Sequence, residues 1–568
     1  MRLRILRLLS VVMLLAIIAA LVYMQIIRGE FYYNQSSNNR IRVIPVDAPR
    51  GKIVDRQGTV LADNRDAYHV AIIDQETDDK DTLFDFLGKV LNRDPEGIKK
   101  LYAKRKVTPF APVIVAEDVP SSSILKIEEN RFQYPGLMVM KSYQRSYPLE
   151  AATAHAVGYV GKVNQDEISD DMYGYTPLSL IGKFGVEKYY DEQLRGVAGG
   201  RQIEVNSRGQ EVRTLGIKEP ESGKDVVLTI DATLAQEVAK LFNDRRGAAV
   251  VMDMTNGEVA LLASSPSFNP NAFVDKAINN QVTGFFQNSH APLLNRAVTG
   301  QFPPGSVFKV PVALAALQLN KIKAMQTYDC PGYYLLGGRK FGCAHVHGKQ
   351  DLVQAIAHSC NVYFFHTGQI LGPRIINAYA KAFGLLNRTG IDLPFESKGR
   401  MRKISSANSF FGGDILNLSI GQGDTISTPI QLTVLMAAVA TEGIIIEPRV
   451  VKSVGGKLRE PQDLLKRPRV KLRHEVWATV QEGLGEVVTD QEGTGRILQE
   501  LSGVSIWGKT GTAQAGKEKE NHAWFAGYVK NASHAYSFCV LLEHGGSSAN
   551  AVELTKNVLA LMQKLNLL

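Results

Sequence analysis

Gln301-Phe302-Pro303-Pro304-Gly305-Ser306-Val307-Phe308-Lys309 runs directly into Val310-Pro311-Val312-Ala313-Leu314-Ala315-Ala316-Leu317. Two prolines and a glycine mark the first part as a turn. The second part is apolar and rich in Ala and Leu, which predicts a helix. Ser306 then falls in the first helical turn and Lys309 three residues on, along one face. A serine hydroxyl is a weak nucleophile and needs a base within hydrogen-bond reach. A lysine supplies that base once burial lowers its pKa. A helix N-terminus also favours negative charge developing beside the serine. The stretch predicts an acylation nucleophile, Ser306, with Lys309 as its base.

Ser-x-x-Lys recurs by chance, and Ser123-Ile124-Leu125-Lys126 reads as an ordinary helix start with a solvated lysine. Ser306 differs in having partners. Ser359-Cys360-Asn361 follows a helical stretch and offers a hydroxyl and an amide. That pattern too has chance copies, at Ser406-Ala407-Asn408 and Ser548-Ala549-Asn550. Lys509-Thr510-Gly511-Thr512 holds the one Lys-Thr-Gly of the chain and sits on a predicted strand. Lys509 brings positive charge, and Gly511 leaves room for a substrate to pass. Thr512 can offer a backbone N–H opposite that of Ser306, as an oxyanion hole requires.

The surrounding pattern gives these motifs a scaffold. Gly247 to Asp253 and Glu258 to Ala263 form a predicted hairpin around Thr255-Asn256-Gly257. Val226 to Ile230 reads as a buried strand and 306–440 as largely helical. Strands return at Ser505 to Lys509, Ala523 to Val529 and Ala535 to Leu542, and Ala549 to Leu565 closes as an amphipathic helix. Strands early, helices between and strands late predict one antiparallel sheet with helices on both faces.

The chain has 568 residues, 45% of them hydrophobic, so more than one domain is expected and wholesale disorder is excluded. Its net charge of +9 is dispersed and forms no nucleic-acid patch; an anionic lipid or wall surface would suit it. Leu8 to Ile27 is uncharged and long enough for one membrane helix. Arg2, Arg4 and Arg7 precede it, which predicts a cytoplasmic N-terminus and an exported remainder. No small-x-small cleavage site follows, so an uncleaved anchor is expected rather than a signal peptide. Asn34 to Asn39 is a polar juxtamembrane segment. Beyond it Arg50 to Leu61 reads as strand-turn-strand, and 80–130 as mostly helical with Ser121-Ser122-Ser123 as a cap. Short strands are predicted at His155 to Gly161 and Gly185 to Tyr189, and a turn at Ser207-Arg208-Gly209. The expected organisation is a tail (1–7), a membrane helix (8–28), an α+β pedestal (29–224) and a catalytic domain (225–568).

Ser306-x-x-Lys309, Ser359-x-Asn361 and Lys509-Thr510-Gly511, in that order, form a motif set of β-lactamases and penicillin-binding proteins. The chain resembles a class B penicillin-binding protein over nearly its whole length, most of all the rod-elongation type. Arg50 to Leu61, Gly185 to Gly196, Thr299 to Ser306 and Ile420-Gly421-Gln422-Gly423 add to the resemblance. It implies a serine β-lactamase-like catalytic domain that cross-links peptidoglycan stem peptides through a Ser306 acyl-enzyme, and that β-lactams acylate. In this scheme Lys309 is the base, Ser359 relays a proton, and Asn361 binds the substrate or Lys309. Lys509, Thr510 and Thr512 hold the terminal carboxylate. No cofactor is implied for the chemistry. A polytopic membrane glycosyltransferase and rod-complex scaffold proteins are the implied partners, with the catalytic domain outside the cytoplasmic membrane. Division-specific transpeptidase and D,D-carboxypeptidase are the alternatives. A β-lactamase or penicillin sensor needs no pedestal of roughly 200 residues, and a dead scaffold would not retain every catalytic side chain.

Of the four cysteines, Cys330, Cys343 and Cys360 lie close in sequence with His345 and His347. An exported protein could pair two of them as a disulfide and leave a stray thiol. Three thiols and one imidazole also suit a tetrahedral zinc site, Cys330, Cys343, His347 and Cys360, with His347 preferred to His345. Cys539, in an apolar strand, reads as a core residue.

Overall fold

The structure is a computed structural model that describes residues 2–32, 41–106, 111–164, 167, 180–206, 211–402, 412–460, 466–516 and 519–568. Asn34 to Asn39, Ser207 to Gly209 and Ser406 to Asn408 lie outside these residues. The chain divides into two compact units. One comprises Met1–Gly51, Asn64–Gln144 and Arg195–Gly223; the other comprises Lys52–Asp63, Arg145–Leu194 and Lys224–Leu568.

In the first unit, Arg2–Val22 is an α-helix that loosens into a π-turn over Tyr23–Ile27. The span Arg4–Ile27 is long and apolar enough to cross a membrane. Ile41–Val46, Gly199–Val205 and Glu211–Lys218 form a three-stranded antiparallel sheet. Helices Lys80–Leu91, Pro95–Arg105 and Ser121–Asn130 share a small core with Val70, Ile72, Val113 and Val115. Asp79 and Asp94 cap the first two helices by accepting from backbone N–H groups, and Pro95 suits the first position of the second. The third departs from expectation. Its N-cap is Pro120, and the three serines form the first turn without a side-chain cap. Lys126 is solvent-exposed, as an ordinary helix start predicts.

The second unit is built on a five-stranded antiparallel sheet. Its strands are β1 (Gly247–Asp253), β2 (Val259–Ser265), β3 (Ser505–Ala513), β4 (His522–Lys530) and β5 (Ala535–Leu542), in spatial order β2-β1-β5-β4-β3. β1 pairs with both β2, through the Asn256-Gly257 turn, and β5, which joins the early and late strands. β4 and β5 are buried along nearly their whole length, so both faces of the sheet are covered. Ser548–Lys564 packs on β3, β4 and β5. Pro429–Ala440 packs on β1, β4 and β5, and every one of its residues is buried. Thr428 and Gln431 start it with a reciprocal capping box.

Three expectations change. Val226–Leu228 lies outside this sheet and pairs instead with Ile53–Val54 and Val451–Val454. The 306–440 region is broken by two small antiparallel pairs, Tyr328–Cys330 with Gly348–Gln350 and Tyr333–Leu336 with Arg339–Gly342. Gly185–Tyr189 and His155 lie on short helices, and only Val160–Lys162 of the earlier stretch is strand. The helical turn at Gly185 delivers Glu187 to Arg145, a fully buried ion pair at 2.7 Å. An unpaired charge there would be costly, so the pair ties the Gly185–Tyr189 turn to the segment that carries Arg145.

Candidate active site

The loop that carries Ser306 is held from both sides before the serine is reached. Phe302 and Ser427 exchange backbone hydrogen bonds at 3.0 and 2.9 Å. Trp524 Nε1 donates to the Pro303 carbonyl at 2.9 Å. Gly305 then adopts φ +54, and a Cβ there would lie 2.8 Å from the Thr512 carbonyl oxygen, so only glycine fits. Ser306 sits in a 3₁₀ turn, Gly305–Phe308, and the α-helix begins at Lys309 rather than at the serine. In a 3₁₀ turn residues three apart eclipse, which keeps Ser306 and Lys309 on one side.

Lys309 is completely buried. Its Nζ donates to the Ser359 carbonyl (2.7 Å), the Ser359 hydroxyl (3.3 Å) and Asn361 Oδ1 (2.7 Å). Burial is the main influence on its ionisation and brings its pKa down to about 8; nearby cysteine sulfurs pull the other way.

Ser359 owes its place to a helix end. Leu352–Ala357 starts with an Asp351–Gln354 capping box. It ends with Ser359 N bonded to Ile356 O and Cys360 N bonded to Ala355 O, the paired bonds of a Schellman motif. The left-handed residue of that motif is usually glycine; here it is Ser359, at φ +57. The turn aims its carbonyl at Lys309 and lets Asn361 open the next helix, Asn361–Ala382. Asn361 is fixed three ways: Oδ1 accepts from Lys309, Nδ2 donates to the Gly342 carbonyl, and its backbone N–H reaches Cys343 Sγ at 3.1 Å.

Lys509 lies on β3, the outer strand of the sheet among the described residues, and is fully buried. Burial, and then the charge of Lys309, hold its pKa well below the usual lysine range. Its Nζ is 3.5 Å from the Thr510 hydroxyl, which meets the Thr494 hydroxyl at 2.8 Å. Thr494 also donates to the Ala357 carbonyl at 3.3 Å and so ties the helix before Ser359 to β3. Thr512 is exposed, unlike Thr510. A Cβ on Gly511 would meet the Pro304 carbonyl oxygen and Trp524 Cβ at 3.0 Å each, so the missing side chain makes room for the loop that carries Ser306 and not, as expected from sequence, for a substrate.

The structure gathers Cys330, Cys343, His347 and Cys360, with one ligand atom from each, all within 4.8 Å of one another. All four cysteines of the chain are free thiols. Cys330 Sγ and Cys343 Sγ each lie 3.5 Å from His347 Nδ1. His345 contributes only its carbonyl oxygen, to Cys330 Sγ. A hydrogen bond from Cys360, with help from the Asn361 N–H, holds the Cys343 thiol well below its ordinary pKa. Bond lengths of about 2.3 Å to sulfur and about 2.0 Å to nitrogen give a tetrahedron with S–N edges of about 3.5 Å, so this donor set can hold a tetrahedral metal ion. Cys539 is a buried residue of β5. Sequence reasoning misses Thr494 and gives Gln422 no contact. Gln422 Nε2 donates to the Thr512 carbonyl (3.2 Å) and its Oε1 accepts from Gln514 N (3.3 Å).

Residues 247–560 match the family model of the penicillin-binding protein transpeptidase domain, and 45–228 that of the penicillin-binding protein dimerisation domain. Over 97% of its length the chain is 30% identical to the peptidoglycan D,D-transpeptidase MrdA of Haemophilus influenzae, covering 90% of that protein. It is 31% identical to MrdA of Acinetobacter baumannii, covering 97% of this chain and 85% of the relative. PBP2 in its complex with MreC from Helicobacter pylori superposes with a TM-score of 0.82 at 27% identity, covering 93% of this chain and all of that one. A chain of a peptidoglycan synthase complex that coordinates polymerization and crosslinking gives 0.73 at 28% identity, covering 98% of both. Pseudomonas aeruginosa PBP2 in complex with WCK 5153 gives 0.69 at 29% identity, covering 91% of this chain and 96% of that one.

Proposed function

This chain belongs to the class B penicillin-binding proteins of the rod-elongation type, and from that premise we propose how its side chains divide the reaction. It is a peptidoglycan D,D-transpeptidase of cell-wall elongation, a serine-type enzyme anchored by one N-terminal apolar helix in the inner membrane.

Lys309, uncharged, takes the Ser306 proton as Ser306 Oγ bonds to the carbonyl carbon between the two terminal D-alanines of a stem peptide. The Ser306 and Thr512 backbone N–H groups hold the oxyanion. As the C–N bond breaks, Ser359 passes the proton to the departing D-alanine amine. Asn361 orients Lys309, and Lys509, Thr510 and Thr512 hold the terminal carboxylate. An amine of a second strand then displaces Ser306 from the acyl group; water in its place would give carboxypeptidase product. A β-lactam acylates the same oxygen.

The observation that carries this division is the fully buried Lys309, one turn after Ser306, with its Nζ on Ser359 and Asn361. Ser306→Ala is expected to abolish labelling by fluorescent penicillin in a protein that still folds. Labelling that survives overturns the assignment.

The working division of the chain is a tail (1–7), a membrane helix (8–28), a pedestal (29–224) and a transpeptidase domain (225–568). Arg2, Arg4 and Arg7 keep the tail cytoplasmic, which leaves the catalytic domain outside. Rod-complex proteins are its partners, among them a polytopic glycosyltransferase to polymerise the glycan and scaffold proteins. The chemistry needs no cofactor. Cys330, Cys343, His347 and Cys360 hold a structural zinc ion that braces the Ser359–Asn361 turn. The S–N edges of 3.5 Å and the free thiols support this.

A further inference from the structure

The Gln422 side chain stands where a neighbouring strand would continue along the free edge of β3. In a strand, the N–H and C=O of one residue point to the same side, and alternate residues share that side. Gln422 takes the Thr512 carbonyl and the Gln514 N–H, both on the edge facing away from β4. It thereby copies the pair of bonds that one residue of a parallel neighbour would make. The Thr512 N–H faces that same edge, immediately before the position Gln422 covers.

The residue before it grips the other half of the site. The Gly421 carbonyl accepts from Gly305 N at 3.0 Å. A Cβ on Gly421 would fall 2.3 Å from the Gly305 carbonyl oxygen and 2.6 Å from Phe308 Cβ, so the two backbones touch. Gln422 N in turn donates to the Asn417 carbonyl at 2.9 Å, which anchors the turn to the preceding helix. One two-residue unit therefore holds the loop that carries Ser306 with its backbone and the strand that carries Thr512 with its side chain.

We propose that Gln422 is a positioning residue that sets the gap between the Ser306 and Thr512 N–H donors and stops an incoming stem peptide from pairing along β3 beyond Thr512. This rests on the transpeptidase assignment above. Gln422 touches no reacting atom. It fixes the strand end, so that the last free donor of the edge is the one that meets the oxyanion. A gap that is too wide weakens the transition state more than the bound substrate, because the oxyanion exists only in the former.

The test is stopped-flow acylation of the full chain by a fluorescent penicillin, separating non-covalent affinity from the acylation rate. Gln422→Met keeps the volume and loses both hydrogen bonds. It is expected to slow acylation about tenfold, with affinity changed less than about twofold and Tm nearly unchanged. Gln422→Glu keeps the acceptor for Gln514 N but as a carboxylate opposes the Thr512 carbonyl; protonated, it can donate to that carbonyl again. Its acylation rate relative to wild type is expected to climb as pH falls from 7.5 to 5. A purely structural role would lower Tm in both variants and give a pH-independent ratio, and unchanged rates in both would equally overturn the proposal. Ser306→Ala serves as the separate control. If it still labels, the transpeptidase assignment has failed. If it does not label while both Gln422 variants match wild type, only the role of Gln422 has failed.

Discussion

Lys309 Nζ lies 2.7 Å from the backbone carbonyl of Ser359, a residue at φ +57 where an L side chain is uncommon. The contact depends on how the Leu352–Ala357 helix ends and not on the Ser359 side chain. The second motif therefore has two separable parts, a carbonyl that holds Lys309 and a hydroxyl to which the proposed mechanism gives the proton transfer.

Ser359→Gly separates them. Glycine accepts the left-handed turn at no steric cost, which offsets its larger entropy loss on folding. Thermal unfolding is expected to shift by less than about 1 kcal/mol, while acylation slows because the hydroxyl is gone. Wild-type acylation kinetics in this variant would remove Ser359 from the proton path. Ser359→Val, β-branched in the same turn, is expected to lower Tm clearly.

Acylation should follow the ionisation of Lys309. Burial brings its pKa down to about 8, so roughly a tenth of it is neutral at pH 7. The rate of penicillin acylation is expected to rise between pH 6.5 and 8.5 and then level off. A rate that climbs only above pH 10 would show an unshifted lysine. The linkage has a definite sign. Between about 8 and the ordinary 10.5 the unfolded chain binds more protons at this site than the folded one, so Lys309's contribution to stability improves as pH rises through that window.

Gly511→Ala places a methyl against Pro304 and Trp524. Overpacking of this kind costs about 1–3 kcal/mol and moves backbone. The expected result is a lower Tm together with slowed acylation, measured by melting and by penicillin labelling. A variant that melts lower yet acylates normally would show that the nucleophile loop does not depend on this contact.

Purified protein is expected to carry about one zinc per chain, and Cys330→Ser to reduce it. Metal analysis beside a thiol count reads the result directly. Metal-free protein with a Cys–Cys bond would refute the metal site. Because Cys343 Sγ meets the Asn361 N–H, a chelator is expected to slow acylation as well as lower Tm.

Leu435→Ala, on the wholly buried Pro429–Ala440 helix, is expected to destabilise the second unit by about 2–5 kcal/mol through the cavity it leaves. Denaturant titration checks it; a loss under about 1 kcal/mol would mean that the sheet can collapse into the space.

The antiparallel sheet was legible because most of its strands are apolar runs and one hairpin carries Asn256-Gly257; its spatial order was not, since no local pattern says that β1 pairs with β5. Gly185–Tyr189 was not, since five residues complete barely more than one turn and show no period. The pairs between Tyr328 and Gln350 are strands of three or four residues, too short for alternation to speak. At the site, local motifs named residues but not their contacts. Gly511 shows this: its spare volume faces the loop carrying Ser306, which only the fold brings near. Thr494 stands between two glycines and looks like any loop threonine until Ala357 and Thr510 come together around it. Gln422 acts as a piece of strand through its side chain, a role with no one-dimensional signature.

The Schellman end at Ser359 also acts as a ruler. The Leu352–Ala357 helix converts sequence distance into angle, about 100° for each residue, and the turn after it fixes where Ser359 and Asn361 point. One residue inserted before Ser359 would swing its carbonyl off Lys309, and one inserted after it would turn Asn361 away from the same nitrogen. Substitutions in this segment can be graded in effect, but a change in its length is all-or-nothing. A surface loop tolerates an inserted residue because it aims nothing at a fixed point; these few residues aim a carbonyl and an amide at one buried nitrogen.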